Sequence, residues 1–107
     1  MQINGVNFPE DMIAAFCRRH GVARLALFGS ILREATPEGG YGFRPTSDVD
    51  MLVEFVPGRT PSLLDFAGMQ MEMSEVIGRE VHLHTPPMLS PYFRGEVERE
   101  ARTLHAA

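Results

Sequence analysis

A single cysteine, Cys17, leaves no internal disulfide available, so noncovalent packing has to hold this 107-residue chain together. Cys17 sits among Met12, Ile13, Ala15 and Phe16, company that predicts a buried core thiol without chemistry of its own. Long apolar runs are missing too. No stretch is long enough to span a bilayer, and residues 1–10 hold neither a basic start nor an apolar signal core. The expectation is a soluble, cytoplasmic protein with no membrane partner. Nor is there an excess of positive charge: 10 Lys and Arg stand against 14 Asp and Glu, for a formal net charge of −4. That balance argues against stable, sequence-independent nucleic-acid binding, which needs many cationic contacts to phosphate. A small nucleotide held through a metal remains compatible. Internal repeats and low-complexity tracts are absent. What is present is 44% hydrophobic residues, enough for one core but not for two modules, so residues 1–107 are expected to form a single domain.

Breakers and periodicity divide the chain into alternating elements. Pro9, Glu10 and Asp11 open a helix predicted to run to about Arg19, with acids at its positive end and Gly21 after its close. Met12, Ile13, Phe16 and Cys17 recur in it at helical spacing. A strand follows over Val22–Phe28, then Gly29-Ser30 and a short helical turn over residues 31–34. From Ala35 to Ser47 the chain carries Pro37, Gly39, Gly40, Gly42 and Pro45 and reads as a loop. A second strand spans residues 48–56 and stops at Pro57-Gly58. A helix over Ser62–Ile77 puts Phe66, Met69, Met73, Val76 and Ile77 on one face, away from Asp65, Glu72 and Glu75, and Gly78 ends it. A strand over residues 80–84 then leads through Ser90-Pro91 into a last helix predicted to reach about Arg102, with Phe93, Val97, Ala101 and Leu104 as its stripe. This order predicts an α/β fold: a small mixed sheet, partly parallel, with flanking helices.

Two features carry chemistry. The run 23–28 ends at Gly29-Ser30, so a strand delivers a flexible turn and a hydroxyl to a sheet edge, where backbone N–H groups can cradle phosphate. Ser30 is equally placed to cap the following turn. Asp48 and Asp50 open the next strand two residues apart, which puts both carboxylates on one side of it. Such a pair can grip Mg²⁺, leaving further positions to triphosphate and water. Arg33 stands near enough to reach a phosphate oxygen or to pair with Glu34 or solvent. Ser47 is placed to cap or orient the acidic turn.

The segments 27–34 and 44–55, with a Gly-Ser turn after one strand and Asp-x-Asp opening the next, resemble the polymerase beta-like nucleotidyltransferase superfamily, and more closely its minimal nucleotidyltransferases, the MNT family. Residues 78–85 and 89–92 are similar to that family's third strand and final helix. The resemblance implies the polymerase beta-like nucleotidyltransferase fold and transfer of a nucleoside monophosphate from a triphosphate, here AMP from ATP. It implies Mg²⁺ or Mn²⁺ as cofactor, and a HEPN-type toxin whose tyrosine is modified by the MNT protein acting as antitoxin. On this basis Asp48, Asp50 and His82 are the expected catalytic and metal-holding residues. Gly29, Ser30, Arg33 and Ser47 are the expected nucleotide-binding ones.

His82 stands where the family pattern carries a third acid, with His84 two residues on along the same face. A histidine can take a proton or ligate a metal, and its nitrogen suits Mn²⁺ or Zn²⁺ better than Mg²⁺. The segment 35–41 reads as an insertion, with Tyr41 or Phe43 available to stack on a base. Larger relatives carry extra helices that bind the acceptor, so a partner is expected to complete the cleft in a homo- or hetero-oligomer. Leu63, Leu64, Met71 and Tyr92 are docking positions or, residue by residue, ordinary core. The alternative function is an MNT domain that neutralises its HEPN partner by binding alone. A third is modification of a small molecule.

Overall fold

The structure is a computed structural model that describes residues 1–33, 42–44 and 47–107. Along the chain run β1 (Gln2–Ile3), β2 (Val6–Asn7), α1 (Glu10–His20), β3 (Val22–Phe28), a 3₁₀ turn over Gly29–Leu32, β4 (Val49–Phe55), α2 (Leu63–Ile77), β5 (Val81–His84), a 3₁₀ turn over Pro86–Met88, α3 (Pro91–Glu100) and β6 (Arg102–Ala106). The main sheet has the order β5-β4-β3-β6. β3 pairs antiparallel with both β4 and β6, while β4 and β5 run parallel. The expected mixed sheet with flanking helices is therefore what forms.

Alternation along the strands gives the sheet two unlike faces. One presents Leu25, Leu27, Val49, Met51, Val53, Val81 and Leu83 to Phe16 and Cys17 of α1 and to Met69, Met73 and Ile77 of α2, in one buried cluster. The other carries only a small cluster, Ala26, Phe28 and Leu52, over which Leu89, Val97 and Ala101 pack. The charged residues of β4 and β5 share that second face. Cys17 is buried as expected, and desolvation pushes its thiol up to about 11 against a partial lowering by Arg18, so it stays protonated and unreactive at neutral pH. Met12, expected on the inner stripe of α1, is instead exposed.

Two elements were not expected. Asn4 and Gly5, at φ 48° and 81°, form the turn of a β1-β2 hairpin, and the Asn-Gly dipeptide is the sequence signal for it. The last helix stops short of Arg102: Ala101 leaves helical geometry at φ −58°, ψ 135°, and β6 returns along β3 with Arg24 level with Ala106. Leu104 thus packs on the large cluster from a strand and takes no part in a helical stripe. The 35–41 insertion lies outside the described residues.

Candidate active site

β3 and β4 bring the two chemical motifs together. Asp50 lies opposite Phe28, the last residue before the Gly-Ser turn, and level with His82 on β5. Gly29 takes φ +79°, and a Cβ there would stand 2.8 Å from Asp50 Oδ2. A side chain is excluded twice over, by conformation and by the carboxylate behind it. The turn itself is 3₁₀ and ends at Leu32, with Arg33 extended at φ −119°, so Arg33 is not one turn into a helix. Its guanidinium lies 3.3 Å from Glu100 of α3, across an open hollow of about 310 Å³ lined by Leu32, Arg33 and Glu100. From behind, the Asn4 side chain donates to the carbonyls of Ile31 (2.7 Å) and Arg33 (3.2 Å).

The acidic turn is clasped from the other side. Ser47 Oγ accepts from the Arg44 amide at 3.0 Å, and the Ser47 amide donates to the Arg44 carbonyl at 2.9 Å. Arg79 donates to the carbonyls of Ser47 (2.9 Å) and Arg44 (3.1 Å) while its guanidinium lies 4.6 Å above the Phe43 ring. Phe43 is buried under that cation, which takes it out of contention for stacking on a base.

On β5 each histidine meets an acid, His82 one that directly precedes β4 and His84 one within it. His82 Nε2 lies 3.0 Å from Asp48 Oδ2 and 3.5 Å from Glu80 Oε1, and His84 Nε2 lies 3.3 Å from Asp50 Oδ1. Carboxylates only accept, so in these pairs the imidazole Nε2–H is the donor. Asp48, Glu80 and His82 each offer a ligand atom within 4.8 Å of the others. Two donors sharing one cation at about 2.1 Å stand about 3.0 Å apart when adjacent on an octahedron and about 3.4 Å on a tetrahedron, so His82 Nε2, 3.0 Å from Asp48 and 3.5 Å from Glu80, is spaced to share a divalent ion with either acid once the ring proton moves to Nδ1. The mixed nitrogen and oxygen set fits Mn²⁺ or Zn²⁺ at least as well as Mg²⁺. Glu80 was missed in the sequence, although the alternation of residues 80, 82 and 84 on one strand face was the signal that could have found it.

Leu63, Leu64, Met71 and Tyr92 are exposed at 90%, 83%, 69% and 90%, so none of the four belongs to the core. Among the described residues no helix is long and apolar enough to cross a membrane.

A family profile described as "Nucleotidyltransferase domain" matches residues 10–104. The Methanocaldococcus jannaschii protein named "Putative protein adenylyltransferase" is 39% identical over 96 residues, covering 90% of this chain and 94% of its own. A solved structure described as a "putative minimal nucleotidyltransferase" is 35% identical, with a TM-score of 0.63 over 86% of this chain and 85% of that one. A complex of the tri-AMPylated Shewanella oneidensis HEPN toxin with MNT antitoxin shares the fold at 16% identity, with a TM-score of 0.60 over 92% of this chain and 70% of that one.

Proposed function

The chain belongs to the nucleotidyltransferase domain family, in its minimal form, and from that premise we propose that residues 1–107 act as a single metal-dependent domain that moves AMP from ATP to a tyrosine of a HEPN-type toxin, as a cytoplasmic antitoxin. The observation that carries this is the closeness of the Gly29 turn to Asp50, with no room for a Cβ between them. It supports phosphates on the turn facing cations on the acids.

Asp48, Asp50 and His82 would hold Mg²⁺ or Mn²⁺, with Glu80 beside them, and the ion would neutralise charge on the reacting phosphates. Gly29 lets the backbone approach the β and γ phosphates, Ser30 adds a hydroxyl contact, and Arg33 turns from Glu100 to a phosphate oxygen when nucleotide binds. Ser47, held by Arg79, fixes the acidic turn before substrate arrives, so no reorganisation is needed at the moment of reaction. The acceptor oxygen attacks the α phosphorus in line, the bond from that phosphorus to the pyrophosphate oxygen breaks, and when His82 is not itself bound to the ion its unprotonated ring nitrogen would take the hydroxyl proton.

Exposed Leu63, Leu64, Met71 and Tyr92 supply adaptable contacts for the protein partner that brings the acceptor. His82, in place of the third acid, supports the second reading, neutralisation by binding alone. Intact-protein mass spectrometry of the cognate HEPN protein, incubated with this chain, ATP and Mg²⁺ or Mn²⁺, separates the two. An AMP mass that disappears with Asp48→Asn is expected. A stable complex with no added mass would leave the binding function only.

A further inference from the structure

The reading above leaves His84 without a task, yet it too is tied to an acid of the site. Its Nε2–H points at Asp50 Oδ1 at 3.3 Å, and its ring meets the Phe28 ring edge-on, with centroids 5.2 Å apart. Phe28 is in turn buried in the small cluster under α3, so the imidazole is backed by packed structure and is not a free surface side chain. Asp50 is thereby bracketed. One oxygen is bonded to His84, and the other lies against the Gly29 turn, where even a methyl group would come within 2.8 Å. An aspartate on an open strand face otherwise samples several rotamers, and a ligand that must be ordered on binding gives up affinity for doing so.

We propose that His84 is a positioning residue for Asp50: its Nε2–H fixes Oδ1 so that Oδ2 stays presented to the Gly29 turn, where a cation and the phosphates would meet. The inference rests on Asp50 being a cation ligand. Groups that orient a metal ligand typically govern affinity by about ten- to a hundredfold, which sets the expected scale.

The test is Mn²⁺ binding to the 107-residue chain without nucleotide, read from the loss of the free-ion electron paramagnetic resonance signal, for the parent, His84→Leu, His84→Gln, Asp50→Asn and the His84→Leu/Asp50→Asn double variant. His84→Leu is expected to weaken Mn²⁺ binding about tenfold. His84→Gln, whose amide N–H can take the place of Nε2–H, is expected to recover most of that loss. In the Asp50→Asn background, His84→Leu should change affinity less than about twofold, because the bond it removes has no carboxylate to orient. Should His84→Leu fail to fold, His84→Asn serves in its place, being polar but too short to reach Oδ1. An undiminished affinity in the folded variant that lacks the bond, or an equal loss with and without the Asp50 carboxylate, overturns the inference. If Asp50→Asn itself leaves Mn²⁺ binding unchanged, it is the ligand role of Asp50 that fails.

Discussion

Two groups of histidines and carboxylates sit on opposite sides of this molecule, and only one of them is internally settled. Between α1 and α2, Glu72 takes a hydrogen bond from Arg19 and a second contact from His20 at 3.1 Å, beside a hollow of about 490 Å³. The Arg19 hydrogen bond, opposed by desolvation and helped by the His20 bond, holds the Glu72 carboxyl below the usual carboxylate range. At the starts of β4 and β5, Asp48, Asp50 and Glu80 have among the described residues only His82 and His84 within ion-pair distance. Three acids against two imidazoles leave an excess of carboxylates on an open sheet face. Among the described residues the first group sets the permanent charge of Arg19 against its one acid, whereas the second holds more acids than histidines. Hydrogen bonding looks alike in both, so the useful distinction is charge left uncompensated.

Removing an acid from each group should therefore act on different observables. Asp48→Asn is expected to reduce nucleotidyl transfer by about a thousandfold while leaving the metal-free melting temperature within about 2 °C of the parent, measured by mass spectrometry and calorimetry. A large loss of stability would mean that the open cluster is structural after all. Gly29→Ala drives a methyl group toward Asp50 and forces a left-handed backbone on alanine, so transfer should fall about a hundredfold and the melting temperature should drop as well. His82→Asp adds a fourth carboxylate to the unsettled group, at the place of the family's third acid; Mg²⁺-dependent transfer should rise about tenfold, and an unchanged rate would separate His82 from that acid's role.

Glu72→Gln is the smallest change. It should leave transfer intact and lower the melting temperature at pH 7 by a few degrees. Because the folded carboxyl titrates below its ordinary value of 4.5, the stability it contributes is present above that pH and is lost as pH falls through the lowered value. The difference between parent and Glu72→Gln should accordingly shrink in acid, and a difference that persists there would assign the effect to packing.

Much of this arrangement could be read in the chain because local signals and tertiary structure agree. β3 spans the apolar run that stops at Gly29, and α2 begins at Ser62, whose side chain accepts from the Asp65 amide, and ends at Gly78. Asp48 and Asp50 fall on one side of the strand start by alternation alone. β6 was hidden because Ala101-Arg102-Thr103-Leu104 contains no breaker and continues a helical stripe, while its pairing with β3 joins residues about eighty positions apart. Leu63, Leu64 and Tyr92 read as core in isolation because hydrophobicity does not reveal which side of a helix lacks a neighbour. Glu80 was not singled out, although alternation along its own segment puts it on the side of His82, where the two meet at 3.5 Å.

The Asn4 side chain spans from the hairpin turn to the carbonyls of Ile31 and Arg33, so the first seven residues act as a strut behind the Gly-Ser turn. Seven residues that carry no chemistry of their own are then mechanically part of that turn: a tag or a truncation at that end would be felt in the geometry of residues 29–33 before it was felt as altered folding.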